Sequence, residues 1–330
     1  MPGVAAVKSQ GGNQSAVAGI AQVMVAACLW GTVGVSTRLV PSAAILPQEE
    51  LGLARLAIGG PALLVLLVLG ARVPISAILR LHPFWLASFA MGCAVFQVCL
   101  FQSFTLLGVT TTVFLTVCLP PLIGTALDFL HGDRSLAKGA LLALGLAVVG
   151  LGFFAAGSMT VGADGLNPYG LVLAIIASAA FVLMTSAARR LTQSAGPLLV
   201  AGAGLTLAAL ILLVMLHLFR PDQTPEGTMA GWDLAGLVFY LGLGPTALAY
   251  VLFCAGMARC RSANLGLVAS MVEPAFAALL AWFLLNERLT QAEVLGCGFV
   301  MAAMLTLWES ERRLKADPAQ PLGAANRLEA

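Results

Sequence analysis

The chain has 330 residues, 60% of them hydrophobic and 10% charged, with a formal net charge of +2. Soluble domains carry about 25% charged residues, so this chain has too little polar surface to cover a water-soluble globule. Its near-neutral charge offers nucleic acid no electrostatic footprint.

In chain order, residues 1–17 are a polar segment with Lys8 among Ser, Gln, Gly and Asn. They read as a disordered cytoplasmic tail and not as a secretory signal, because the apolar run after them continues to Val40 and further runs follow. Ten stretches then approach the length of about 20 residues that a bilayer span needs. They cover roughly 18–40, 49–70, 83–107, 109–131, 136–156, 166–189, 197–219, 232–257, 263–285 and 290–309. These runs lack the period-two alternation of barrel strands, and backbone amides in lipid need partners within the segment, so the spans are expected to be helices. The expected fold class is an all-α membrane protein with ten transmembrane helices, ending in a cytoplasmic tail over 311–330.

The seven cysteines, at 28, 93, 99, 118, 254, 260 and 297, include no CxxC pair and no His/Cys cluster. They read as small packing residues, so no metal, cofactor or disulfide framework is expected. Ten spans put both termini on one side. With the N-terminus in the cytoplasm, thirteen Lys and Arg fall on that side and three, Arg38, Arg220 and Arg288, on the other; Arg55 inside a span completes the 17. The positive-inside rule therefore places both termini in the cytoplasm.

Comparing the chain with itself at an offset of 154 residues aligns Pro120 with Pro274, Asp133-Arg134 with Glu287-Arg288, and Phe96 with Tyr250. Two copies of five helices, 18–156 and 157–310, must cross the membrane with opposite topology, because five is odd. Inverted repeats of this kind are a recurrent transporter design.

Three segments, "ACLWGTVGVSTRLVP", "LGLARLAIGG" and above all "ANLGLVASMVEPAFAALLAWFLLNERLTQAEVLGCGFVMAAMLTL", resemble the EamA-type branch of the drug/metabolite transporter superfamily. The likeness runs from about 18 to 310, with "NERLT…G" as its most specific motif; the first repeat departs from it with Asp133 in place of the usual Glu. The resemblance implies ten helices in two inverted five-helix repeats, and export or exchange of small metabolites, amino acids and their relatives among them.

Glu273 lies about ten residues from either end of its span, or about 15 Å at 1.5 Å per residue. An ionisable group near the midplane costs about 2.5 to 3.5 kcal/mol on insertion scales and normally faces a cavity or partner. Pro274 beside it lacks an amide hydrogen and frees the Ser270 carbonyl, which predicts a helix break. Pro120 and Pro121 are the first-half counterparts, expected to break or gate their helix. Arg55 is the second intramembrane charge, about 9 Å into its helix; it could snorkel to Glu49 or Glu50, pair with Glu273, or offer a fork to a substrate carboxylate. Trp30, Gln97 and Tyr250 complete the candidate binding residues, as polar-tipped groups suited to a partly apolar solute. Packing is the competing reading for each.

No Walker A sequence is present, so energy must come from a gradient. The function expected is a secondary transporter that exports small organic metabolites, of amino-acid type, across the inner membrane by alternating access. Protons are the coupling ion if Glu273 exchanges them, and the partners are a small-molecule substrate and the lipid bilayer. Lipophilic-cation efflux is the alternative within transporters. An integral-membrane enzyme would need clustered His, Asp or Arg, whereas His82, His131 and His217 are scattered. A channel would need pore-lining rings. Nothing in the pattern specifies an oligomeric state.

Overall fold

In a computed structural model of the chain, residues 4–40, 47–107, 109–130, 138–158, 167–219, 232–286 and 290–316 are described. Among them the structure is helical throughout, with no strand. The long elements are α1 (Val4–Leu39), α2 (Gln48–Val65, continued by a π-helical turn over Leu66–Gly70), α3 (Pro83–Leu107), α4 (Val109–Leu130), α5 (Lys138–Ser158), α6 (Pro168–Ser194) and α7 (Pro197–Phe219). Next come α8 (Trp232–Gly242, a π-helical turn over Leu243–Leu248, then Ala249–Arg259), α9 in two segments (Ala263–Ser270 and Glu273–Leu285) and α10 (Gln291–Ala316).

Among the described residues, seven stretches are long and apolar enough to cross a membrane: Ala16–Leu39, Glu49–Gly70, Pro83–Leu107, Pro168–Ser194, Pro197–Leu218, Trp232–Arg259 and Ala263–Leu285. Leu115–Leu127, Lys138–Phe153 and Val294–Ser310 are shorter apolar helices. This is a multi-pass helical membrane architecture.

Local signals place the helix ends. Asn167 caps α6 by accepting hydrogen bonds from the amides of Tyr169 (3.0 Å) and Gly170 (3.2 Å), with Pro168 at the first helical position. Ser262 caps α9 by accepting from Leu265 N at 3.2 Å. Asn286 ends α9 in the left-handed conformation, with φ 51°.

Two ends differ from expectation. The segment 1–17, expected as a disordered tail, is helical from Val4, because once a long apolar helix exists each added residue extends it cheaply. The C-terminal helix runs past 309 to Ala316, into the expected tail, and an Arg313–Glu309 ion pair at 3.1 Å, four residues apart, supports that extra turn. The Asp133-Arg134 and Glu287-Arg288 pairs lie outside the described residues.

The largest helix interfaces pair α5 with α10, α3 with α6, α2 with α7 and α1 with the second half of α8; α4 also packs on α6, and α1 on the second segment of α9. Small residues let backbones approach. A methyl group at Gly150 of α5 would lie 2.8 Å from the Gly296 carbonyl oxygen of α10, and one at Gly19 of α1 would lie 2.9 Å from the Gly256 carbonyl oxygen of α8. Close approach of this kind is how helices associate in lipid, where apolar side chains gain little by leaving the solvent.

Candidate functional site

Helices α6 and α8 converge on Trp30 of α1. Its ring lies 5.4 Å from Tyr250 and 5.3 Å from Phe253, both on α8, and 6.1 Å from Phe181 on α6. The Tyr250 hydroxyl is 3.6 Å from the Cys93 thiol on α3. Tyr250 is 6% exposed, so this aromatic group forms part of the interior.

Arg55 enters from α2. Its Nε donates to the Thr246 hydroxyl oxygen on α8 at 3.1 Å. Its guanidinium is close enough to Tyr250, Cys93 and Glu273 for each to act on it electrostatically. One turn earlier on α2, the open face of Gly52 meets Phe101 and Gln97 of α3; an added methyl there would lie 3.6 Å from the Gln97 side-chain nitrogen. Gln97 is buried.

Glu273 is supplied by α9. α9 stops at Ser270, passes through Met271 and Val272, and resumes at Glu273, so the carboxylate belongs to the first residue of a helix that starts inside the bundle. A helix start is its positive end, which favours an acidic group. Pro274 occupies the first turn of this segment, where no amide hydrogen is required. Glu273's carbonyl packs on α1: a methyl at Gly31 would lie 2.9 Å from it. The Glu273 side chain interacts electrostatically with Cys28 and Arg55. Among the described residues Arg55 and Glu273 nonetheless form no ion pair with each other, and Arg55's hydrogen bond goes to Thr246.

The structure thus gathers Trp30, Tyr250, Arg55 and Glu273 around one interior region, with Gln97 of α3 beside Gly52, one turn before Arg55 on α2. Pro120 and Pro121 behave differently from the expected break. α4 runs unbroken from Val109 to Leu130 through both prolines. Both prolines are buried in the bundle, where such prolines are tolerated; the carbonyls they free are those of Thr116 and Val117. Trp282, 51% exposed, faces outward as an interface anchor would.

Cys93, Thr246, Phe181 and Phe253 belong to the same region and were not selected from sequence. Thr246 carried one faint signal, its place after a proline in "GLGPTALAY". Among the described residues no group of three or more His, Cys, Asp or Glu could hold a metal ion.

Residues 168–308 match the model of the EamA-like transporter family. Over those residues the chain resembles that family. The matched EamA segment lies within the second half read from sequence, 157–310. The chain is also similar to two curated proteins: an "Uncharacterized transporter YwfM" of Bacillus subtilis (strain 168), 25% identical over 299 residues that cover 90% of this chain and 96% of that protein, and an "Uncharacterized transporter" of Archaeoglobus fulgidus, 26% identical over 226 residues that cover 66% of this chain and 75% of that protein. A solved crystal structure shares the fold with a TM-score of 0.72 at 22% identity, covering 90% of this chain and 98% of the other. The chain is a multi-pass helical membrane protein, and its second half is similar to EamA-type transporters.

Proposed function

We propose that the chain is an EamA-type transporter that exports small organic metabolites of amino-acid type across the inner membrane, by alternating access, with both termini in the cytoplasm. The observation that carries the reading is the separation of Arg55 from Glu273. A half-buried guanidinium and a half-buried carboxylate face one region without pairing, beside the Trp30 and Tyr250 rings. A zwitterion with an apolar body complements that arrangement. Its carboxylate takes the outer nitrogens of Arg55, its amine takes Glu273, and its side chain lies against the aromatic group. Neither charge then remains unpaired in low dielectric once substrate is bound.

Alternation between two inverted five-helix repeats is supported by the pattern of helix pairing. Exchanging helix n with helix n+5 maps α5–α10 and α2–α7 onto themselves, α3–α6 onto α8–α1, and α4–α6 onto α9–α1. A twofold axis in the membrane plane would produce that self-consistency, and a rocking motion between its halves would switch access. Protons are the coupling ion in this reading, taken up and released at Glu273.

The test is uptake into proteoliposomes of labelled leucine and leucinamide. Arg55→Ala should reduce leucine flux while sparing leucinamide, which has no carboxylate. Equal loss of both, or of neither, would overturn the carboxylate role. Flux of lipophilic cations alone would move the protein to cation efflux.

A further inference from the structure

Thr246 is unlike the other helical threonines around it. Thr116, Thr125, Thr185, Thr192, Thr206 and Thr306 each turn their hydroxyl back onto the carbonyl four residues earlier, at 2.7–2.9 Å. Such back-bonding is the usual resting place of a threonine hydroxyl in a membrane helix. The Thr246 hydroxyl instead accepts from Arg55 Nε at 3.1 Å, across 191 residues of sequence. Thr246 is also fully buried.

The local backbone accounts for the difference. Thr246 sits in the π-helical turn Leu243–Leu248, where the Ala249 amide bonds back five residues to the Gly244 carbonyl. Pro245, in the same turn, has no amide hydrogen, and its ring cannot approach the carbonyl four residues back. The widened turn rotates Thr246 toward α2. There the helices nearly touch: a methyl at Gly59 would lie 2.8 Å from the Gly242 carbonyl oxygen and 2.8 Å from the Thr246 methyl. Arg55 is four residues before Gly59 and shares its face, so the crossing that needs Gly59 also brings Arg55 Nε onto Thr246.

From this geometry we infer that Thr246 is a positioning residue for Arg55. Holding Nε fixes the guanidinium plane and leaves both terminal nitrogens for a planar anionic group, the carboxylate of the substrate. Released, the long side chain would turn toward Glu273, and the two charges would neutralise each other in the empty site. Thr246 would therefore act on recognition of the anionic group, through Arg55, without touching substrate itself. The inference rests on the reading of Arg55 as the carboxylate fork.

Two replacements separate the hydroxyl from the packing. Thr246→Val keeps the shape against Gly59 and removes the acceptor; Thr246→Ser keeps the acceptor and removes the methyl. Binding of leucine and leucinamide to the purified full chain in nanodiscs should show leucine affinity falling about tenfold in Thr246→Val, the equivalent of about 1.4 kcal/mol, with leucinamide unchanged and Thr246→Ser restoring leucine. If Arg55→Ala abolishes the preference for leucine but Thr246→Val does not, the positioning role is wrong while the fork stands. If Arg55→Ala leaves the preference intact, the fork itself is wrong. A second measurement needs no substrate: phenylglyoxal, a dicarbonyl that must reach both terminal nitrogens, should label Arg55 more slowly in Thr246→Val than in the native chain or Thr246→Ser, as read by mass spectrometry of the Arg55 peptide. Equal labelling in all three would overturn the positioning role even if neither ligand binds.

Discussion

Adding one methyl group at Gly31 should both destabilise the protein and slow transport, while the same change at Gly34 should do neither. At Gly31 the new carbon would stand 2.9 Å from the Glu273 carbonyl oxygen and 3.3 Å from the Ala277 amide nitrogen. Comfortable carbon contacts lie at about 3.5–4.0 Å, so α1 and the second segment of α9 must part by roughly 0.5–1 Å. Both obstacles are backbone atoms, and no side chain can rotate out of the way. Overpacking of this kind costs about 1–3 kcal/mol, against which alanine returns up to about 1 kcal/mol of helix propensity. Gly34 has nothing within 4 Å, so Gly34→Ala gains the propensity term alone. The two variants should differ by about 1–3 kcal/mol in the unfolding of detergent-solubilised protein. Gly31→Ala should also lower transport in proteoliposomes, because the displaced element carries Glu273. Equal stability of the two variants would refute the close crossing of α1 and α9.

Tyr250→Phe removes only the hydroxyl beside Cys93 and should cost about 0.5–1.5 kcal/mol of stability, whereas Trp30→Ala, which empties the centre of the aromatic group, should cost about 3–5 kcal/mol; thermal unfolding of the two compares them directly. Replacing both Pro120 and Pro121 by alanine should leave transport near the native rate, since α4 is already a continuous helix there; loss of flux with folded protein would restore a gating role to the prolines. Arg313→Ala should change stability by no more than about 0.5 kcal/mol and leave uptake untouched, because its ion pair with Glu309 is exposed.

Most of the fold was legible because lipid imposes a strong and simple pattern. Pro83–Leu107 and Ala263–Leu285 are bounded by the same residues that bound the apolar runs. Glu273 and Arg55 stood out because a charge inside such a run is expensive wherever it lies. The break in α9 next to Pro274 was legible as well, since the proline interrupts the hydrogen-bond ladder at the point where the half-buried acid needs a polar space. Pro120 and Pro121 carried the same local signal without the same result. Burial does not separate the cases, because Pro274 is buried as Pro120 and Pro121 are; α4 stays continuous through its pair, whereas α9 breaks just before Pro274. The Thr246–Arg55 contact depends on where α2 crosses α8, which no local pattern specifies. Cys93 looked like packing and became a neighbour of Tyr250 for the same reason. At the N-terminus the polar composition of 1–17 spoke for a tail, but helix extension from α1 is cheap enough to outweigh it.

Uptake of labelled leucine into proteoliposomes, with and without an imposed pH gradient, in the native chain and in Glu273→Gln, most directly tests coupled export through this site. Saturable uptake that the gradient accelerates in the native chain, and that loses its response to the gradient in the folded Glu273→Gln protein, is the expected result. Gradient-driven uptake that is the same in both proteins would contradict it and leave Glu273 as a packing residue at the start of a helix.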